Sequence, residues 1–532
     1  MPLTKKKFLV LVIPIILLSA FSGCIFEDIF FGGTSFTLID LNINDDDGFP
    51  SLSINFSCSG TIKIKVLDAN SKLIDTDFYF KGEHNAILYL GDYRQTIMPG
   101  SYKLKVYDND NKEIYSGIIT FNGSDLAILS SSQKWWKSEL LDNSYSLFGL
   151  RMYVKNNGDI PVYPYDVQAS IETEPIIGLV LPCVIMPKES DYIECFIFKD
   201  SFLNDSSFTL SLRDIDENIL TSESFAVEIN DNVPTKLFTW NYYGPHLQRL
   251  PESEYLYDYH SGLERINNED YSLYIFDPYD DEYIDIIVDK IMFGFDGTDV
   301  QKVNYMAAFV QNIDYRSDSE TDSSYEYPRY PIETLFDGRG DCEDKAILAA
   351  SLLYSMGYDV ALLRLPNHMA VGVNLSKEEI PNFDYYIDNY YFLETTTKGK
   401  SCGFIPHEYI EFNSSVTVYP ISDRPLLMHN WKDGTIIIYT NSEMGNFVKV
   451  TAIVKNYGLS IAKNIRIEGG FFSLNGAKTN YKSSTISGLE PNTFKKVTLS
   501  IDIPKGLTTL FKTQIYLDDV LVDEKESIST FP

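Results

Sequence analysis

The residues best suited to chemistry lie in Gly338-Arg339-Gly340-Asp341-Cys342-Glu343-Asp344. Glycines ahead of a cysteine permit a tight turn and close backbone approach. Beyond it, Ala346, Ile347, Ala350, Leu353 and Met356 recur at helical spacing, which places Cys342 at or just before a helix start. Free N–H groups and the positive end of the dipole lower a thiol pKa there and favour the thiolate nucleophile. The same N–H groups can hold an oxyanion. Glu343 and Asp344 are ordinary first-turn residues. Aimed at the sulfur they would oppose a thiolate, so they are expected to point away. The alternative for Cys342 is a buried structural thiol.

A thiolate nucleophile needs a base, and the chain has six histidines: His84, His246, His260, His368, His407 and His429. His368 opens the apolar run Met369–Leu375, 26 residues after Cys342. One helix, one strand and a turn fit between them, so the returning strand can bring the imidazole back to the helix start. A third group must orient the ring. Glu394 follows after another 26 residues, in Tyr391-Phe392-Leu393-Glu394-Thr395-Thr396. A carboxylate in an otherwise apolar strand needs a partner. Gln311, upstream on a helix, is the candidate oxyanion donor, against a solvent-facing Gln as the alternative. Cys402 and His407 lack the further ligands of a zinc site. No metal or cofactor is expected.

With Tyr330-Pro331-Ile332-Glu333-Thr334-Leu335 ahead of Gly340-Asp341-Cys342-Glu343-Asp344, then His368 and Glu394-Thr395-Thr396, the chain resembles the transglutaminase-like, papain-fold cysteine enzymes. Phe309–Tyr315 and Trp240–Gly244 are similar to the lead-in of prokaryotic, especially archaeal, extracellular members. The resemblance implies a catalytic triad: Cys342 the nucleophile, His368 the base and then acid, Glu394 the orienting carboxylate. The family more often has Asp in the third role, and Asp388 is the alternative acid.

These side chains need a scaffold. Residues 281–313 and 343–356 carry helical periodicity, followed by strand-like runs Val360–Leu365, Met369–Leu375 and Tyr390–Thr395. Helices followed by strands imply an α+β domain, placed at 233–423. Around it the texture is β. Thr61–Val66 and Ser101–Val106 alternate apolar and basic residues, as in a sheet with one wet face. Asp45-Asp46-Asp47-Gly48 and Asp108-Asn109-Asp110-Asn111 lack a calcium-loop ligand frame and are expected to be solvated turns. Val154-Lys155-Asn156-Asn157-Gly158 recurs as Val454-Lys455-Asn456-Tyr457-Gly458, and Asn-x-Gly suits a sharp turn. These copies resemble CARDB-like and related immunoglobulin-type sandwiches of prokaryotic surface proteins, which implies spacers. The expected chain is multidomain: a leader at 1–23, a linker at 24–35, a β-sandwich at 36–125, a CARDB-like sandwich at 126–232, the α+β papain-like transglutaminase core, and a second CARDB-like sandwich at 424–532.

The leader sets the compartment. Lys5-Lys6-Lys7 precedes an apolar stretch from Phe8 to Leu18, then Ser19-Ala20-Phe21-Ser22-Gly23-Cys24. That is the pattern of a secretory signal. Its end resembles a lipobox, which makes Cys24 the lipidation site; an uncleaved N-terminal anchor is the alternative. Both leave the protein on the extracellular face of the cell membrane. In that compartment cysteines can pair. Cys183 and Cys195 flank Pro187–Asp191 and would face each other in a hairpin there. Asn55, Asn122, Asn204, Asn374 and Asn413 stand in sequons. The 532 residues carry 75 acids against 44 bases, a net charge of −31. Such a surface repels phosphate and excludes nucleic-acid binding as an expectation.

Two functions compete. The first is thiol-dependent acyl transfer on peptide amides of the cell envelope, as a peptidase or amidase with water, or as a crosslinking enzyme with an amine. The second is a non-catalytic surface adhesion or scaffold protein that binds envelope peptides. An intact Cys-His-acid set favours the first.

Overall fold

The computed structural model describes residues 33–137, 145–171, 174–202, 207–229, 233–266, 268–321, 326–378, 380, 386–407, 409, 416–434, 436–442 and 445–531. The leader, Cys24, and the sequons at Asn204 and Asn413 lie outside these residues. Strict alternation in the sequence becomes alternation of burial. In Ile62–Leu67 the isoleucines and Val66 are buried, while Lys63 and Lys65 are partly exposed. That strand belongs to a four-stranded sheet, which faces a three-stranded sheet of Phe36–Asp46, Phe49–Cys58 and Gly82–Tyr89. Leu52, Phe56, Ile64, Leu88 and Leu104 from both sheets share one core.

Next comes a seven-stranded sheet, whose end strands Leu126–Lys137 and Ile219–Ala226 approach each other. Gln133 Nε2 donates to the Ala226 carbonyl at 3.1 Å. The strands Glu174–Val180 and Ser190–Phe202 on either side of Pro187–Asp191 do pair antiparallel, but out of the register expected for the two cysteines. Ile185 bridges Val162, and Cys195 stands opposite Val180 rather than Cys183. Both thiols are free, and burial pushes each pKa up, Cys183 to about 12. Past the helical region, two four-stranded sheets pack around Val450, Ile467, Phe471, Ile501 and Phe511.

The repeated Asn-x-Gly is more than a turn. Asn156 and Asn456 are fully buried. Asn156 Nδ2 donates to the carbonyls of Ile160 and Ile185, and its Oδ1 accepts from Gly158 N. Asn456 Nδ2 donates to Ser460 and Leu489, and its Oδ1 accepts from Gly458 N and Leu426 N. The glycines answer to a close approach. A Cβ on Gly158 would meet the Gly123 carbonyl oxygen at 2.3 Å, and one on Gly458 would meet that of Arg424 at 2.1 Å. In each copy the motif therefore locks the segment entering the sheet region against the strand it leaves.

Between these β regions lie α1 (Glu254–Gly262), α2 (Asp281–Met292), α3 (Asp299–Asn312), α4 (Asp318–Thr321), α5 (Pro331–Asp337) and α6 (Cys342–Ser355). The periodicity over 281–313 is two helices, broken at Gly294, whose φ is +73°. Helix α6 is the hub, with Ala346, Ile347, Leu348, Ala349, Ala350, Leu352 and Leu353 all fully buried. It packs on α2, α3 and α5 and on a five-stranded sheet ordered Tyr386–Ile387, Tyr390–Leu393, His368–Val373, Val360–Leu365, Thr417–Ile421. The core beneath the helices runs on into Phe148, Phe196 and Phe198 of the preceding sheet.

The first and last β regions touch. Asp46 accepts from Lys432 at 2.7 Å and Lys496 at 2.6 Å, and Asp77 pairs with Lys449 at 2.5 Å. The Tyr93 and Phe494 rings lie 4.4 Å apart, and Phe80 lies 5.1 Å from Tyr439.

Asn456→Ala strips a buried site of its donors and acceptor at once. The expected loss is about 3 kcal/mol in urea unfolding, from carbonyls and an amide left unpaired. Gly458→Ala should lower the same transition, because its Cβ would collide with backbone. Unchanged midpoints in both variants would refute this role for the motif.

Candidate active site

Cys342 is the first residue of α6, and Asp341 caps the helix. The cap is reciprocal: the Asp341 carboxylate takes the N–H of Asp344, and the Asp344 carboxylate takes that of Asp341 at 3.2 Å. Gly340 is required here, since a Cβ would meet that of Asp344 at 2.6 Å. A short parallel bridge, Asp314 to Arg339 and Tyr315 to Gly340, holds the approach against the end of α3. Lys345, one turn into α6 and fully buried, donates to the Ile313 carbonyl at 2.9 Å and the Gln311 carbonyl at 3.3 Å. It thereby caps the negative end of α3. Burial brings its pKa down to about 8.

The antiparallel strands Val360–Leu365 and His368–Val373 pair Leu365 with His368. Pro366 and Asn367 form the two-residue turn, with Asn367 at φ +58°. Proline followed by a left-handed residue is the order a type II turn takes. This turn returns His368 to the start of α6, where the Met369 N–H donates to the Cys342 sulfur. Both Cys342 and His368 line one cleft of about 690 Å³, with Tyr271, Glu326, Asn367 and Thr417.

His368 Nε2 meets Glu394 Oε2 at 3.1 Å. Glu394 is fully buried, at the end of Tyr390–Leu393. Burial alone would raise its pKa. The His368 contact and the hydrogen bonds from Thr396 N and Oγ1 outweigh that and hold the carboxyl at about 2. An ionised Glu394 makes Nε2 the protonated nitrogen and leaves Nδ1 as the basic one. The Tyr409 ring stacks on the imidazole, 4.4 Å away and 3° from parallel. Asp388 stays out of this arrangement, exposed in the turn between Tyr386–Ile387 and Tyr390–Leu393.

Two expectations need correction. Glu343 does not point away: the Cys342 S–H donates to its Oε2 at 3.0 Å. Burial first, and then the Glu343 charge, push the thiol pKa well up. Gln311 is not aimed at an oxyanion. Its Nε2 donates to the Glu394 and Lys400 carbonyls, both at 2.8 Å, and its Oε1 accepts from Gly399 N at 2.8 Å. With both ends of the amide engaged, it clamps the loop behind Glu394. Burial made this clamp invisible in the sequence. Arg329 was also missed. It is buried, and its Nη1 lies 2.6 Å from Asp344 and 3.0 Å from Asp318. Cys402 is buried and accepts no partnership with His407, which is exposed.

Residues 290–364 match the model of the transglutaminase-like superfamily. The chain thus carries a transglutaminase-like domain, and the matched stretch contains Cys342. Among solved structures, red sea bream transglutaminase aligns at 10% identity over 72% of this chain and 80% of its own, with a TM-score of 0.19. The YadV chaperone aligns at 9% over 36% and 99%, TM-score 0.13. A β-D-mannosidase from Dictyoglomus thermophilum aligns at 11% over 91% and 83%, TM-score 0.16. Scores this low carry no argument. No curated protein matches the chain in sequence.

The Glu394–His368 pair has a pH signature. A carboxyl held at about 2 when folded, against an ordinary 4.5, stabilises the fold fully above about pH 4.5. That contribution is lost as pH falls toward 2. His368 and Lys345 are the charged groups that act on Glu394. In Glu394→Gln, the fall in unfolding free energy between pH 5 and 2 should be shallower by about 3 kcal/mol. Parallel curves for parent and variant would refute the assignment.

Proposed function

We propose that this protein is an exported, membrane-tethered enzyme that transfers acyl groups from peptide amides of the cell envelope through Cys342. The observation that carries this reading is the meeting of the α6 start with the His368–Glu394 pair at one cleft. The superfamily match supports it, since it spans the nucleophile. The leader sequence supports export, with Cys24 as the lipid attachment site and the extracellular face of the membrane as the location. The flanking β regions are read as sandwich spacers of the CARDB-like, immunoglobulin type, and the source as archaeal.

The chemistry follows from the atoms in place. His368 Nδ1 takes the thiol proton as the sulfur attacks the amide carbon. A C–S bond forms and the carbonyl oxygen gains the charge, beside the N–H groups that open α6. The tetrahedral centre collapses, the C–N bond breaks, and the His368 proton leaves on the amine. The thioester is then opened by water or by a second amine, with the imidazole again taking and returning a proton. Glu394 keeps the ring in the right tautomer and stabilises its charged form. Water yields the acid, and an amine yields a new amide. Hydrolysis is the favoured outcome because the cleft opens to solvent. Gln311 acts as a positioning residue, through the loop that carries Glu394.

Incubation with a library of envelope-type peptides, with and without a primary amine, tests the reading by mass spectrometry. Cleavage or deamidation products are expected from the parent and not from Cys342→Ala. His368→Asn should lower the rate by about a thousandfold or more. Equal turnover by parent and Cys342→Ala would remove the enzyme reading and leave the binding scaffold.

A further inference from the structure

The two copies of the Asn-x-Gly motif differ in one respect that the buried lock does not explain. Lys155 of the first copy is exposed, stands opposite Ser190 on the neighbouring strand and is followed two residues on by Asn157. Lys455 of the second copy stands opposite Phe494 and is followed by Tyr457. Two aromatic rings thus occupy the places of small polar side chains, and both face the lysine. Its Nζ lies 4.2 Å from the Tyr457 ring centre and 4.8 Å from that of Phe494. The Tyr93 ring, 4.4 Å from that of Phe494, extends the aromatic wall.

These residues line a cavity of about 880 Å³ where the first β region, the segment after α1 and the last β region meet. Among the described residues, no hydrogen bond or ion pair reaches Lys455 Nζ. The charge that acts on it is the Asp277 carboxylate, which already meets His260 Nε2 at 3.1 Å. Burial brings the Lys455 pKa down to about 8, so the group still carries its charge at neutral pH. Aromatic faces favour a cation but give its N–H groups no lone pair to bond. An ammonium held away from water with no anion beside it is costly. This one faces a space large enough for a small organic molecule. Four exposed acids, Asp47, Glu264, Asp433 and Glu526, line the cavity against one further cation, Lys525. They repel a second negative charge on any occupant, so one carboxylate suits the site better than a phosphate.

We propose that this cavity binds a small organic monocarboxylate with a flat apolar body, its carboxylate on Lys455 Nζ and its body against Tyr457 and Phe494. The carboxylate gives the ammonium the acceptor that the fold leaves out. The rings offer the apolar body faces to stack on, and Trp431 and Met428 add to the apolar wall. A free aromatic acid and the C-terminal residue of a peptide both carry this chemistry. The cavity shares no lining residue with the Cys342 cleft, and the proposal does not depend on the acyl-transfer reading.

Calorimetric titration of the full chain with N-acetylphenylalanine tests it, with N-acetylphenylalaninamide as the neutral counterpart and acetate as the carboxylate without a ring. One saturating equivalent of the acid is expected, with the amide and acetate each weaker by about tenfold or more. Lys455→Met keeps the stem and removes the charge, and should weaken binding of the acid by a similar factor. Tyr457→Asn, which restores the residue of the first copy, should weaken it as well, whereas Lys155→Met should bind as the parent does. If Lys455→Met fails to fold, the comparison of acid and amide on the parent decides the matter. Tighter binding of the tetrapeptide Ala-Ala-Ala-Phe than of N-acetylphenylalanine identifies a chain end as the source of the carboxylate, and weaker binding a free acid. No saturable binding up to about 10 mM, equal binding of acid and amide, or equal binding by parent and Lys455→Met would overturn the proposal.

Discussion

Much of the thiol end of this protein hangs on one buried carboxylate. Asp344 has no exposed surface, and it accepts from Arg329 N at 2.7 Å, from Arg329 Nη1 at 2.6 Å and from Asp341 N. Those bonds tie the loop before α5 to the first turn of α6, so the chain around Cys342 is fixed from both sides. Arg329 is followed by Tyr330, the cap of α5, whose N–H goes to Glu333 at 2.9 Å. Glu333 in turn holds Arg265 at 2.6 Å, beyond the end of α1. The result is a relay of buried pairs from the end of α1 to the start of α6 at Cys342. Removing one partner of such a pair typically costs about 3–5 kcal/mol, because the other charge stays behind without compensation.

The same carboxylate explains local sequence choices. Asp344 folds back over Gly340, where no side chain fits. Lys345 follows it inward and closes the end of α3, which then presents Gln311 to the loop behind Glu394. Gly340, Asp344, Lys345 and Gln311 thus share one packing problem: how to bring two helix ends and a strand end together without stranding a backbone group.

Part of this was legible in the residues. The apolar spacing after Cys342 marked α6, and the Pro366-Asn367 turn ahead of an apolar run marked the strand that carries His368. Glu394 stood out as a lone acid among aromatic and aliphatic neighbours. What stayed hidden was direction and depth. Helical spacing says that Glu343 lies in the first turn, but not that its carboxylate curls back to the sulfur. Gln311 reads as an ordinary polar residue until the burial of its amide is known. The repeated Asn-x-Gly was visible as a pattern, but its work as a buried lock required the segments that cross it, residues 123–125 and 424–426. Cys183 does not face Cys195 because the chain after Val180 turns aside and Ile185 pairs with Val162, a partner more than twenty residues away in sequence.

The ionic and aromatic contacts between the first and last β regions change what kind of object the chain is. Asp46 is joined to Lys432 across 386 residues and to Lys496 across 450. A chain of spacers carrying a head would let the cleft sample a wide volume, its reach set by linker length. A chain clasped end to end instead behaves as a closed frame. Load applied at the N-terminal end passes through the clasp to the C-terminal β region and need not run through α6. The cleft then keeps a fixed orientation relative to both β ends of the chain.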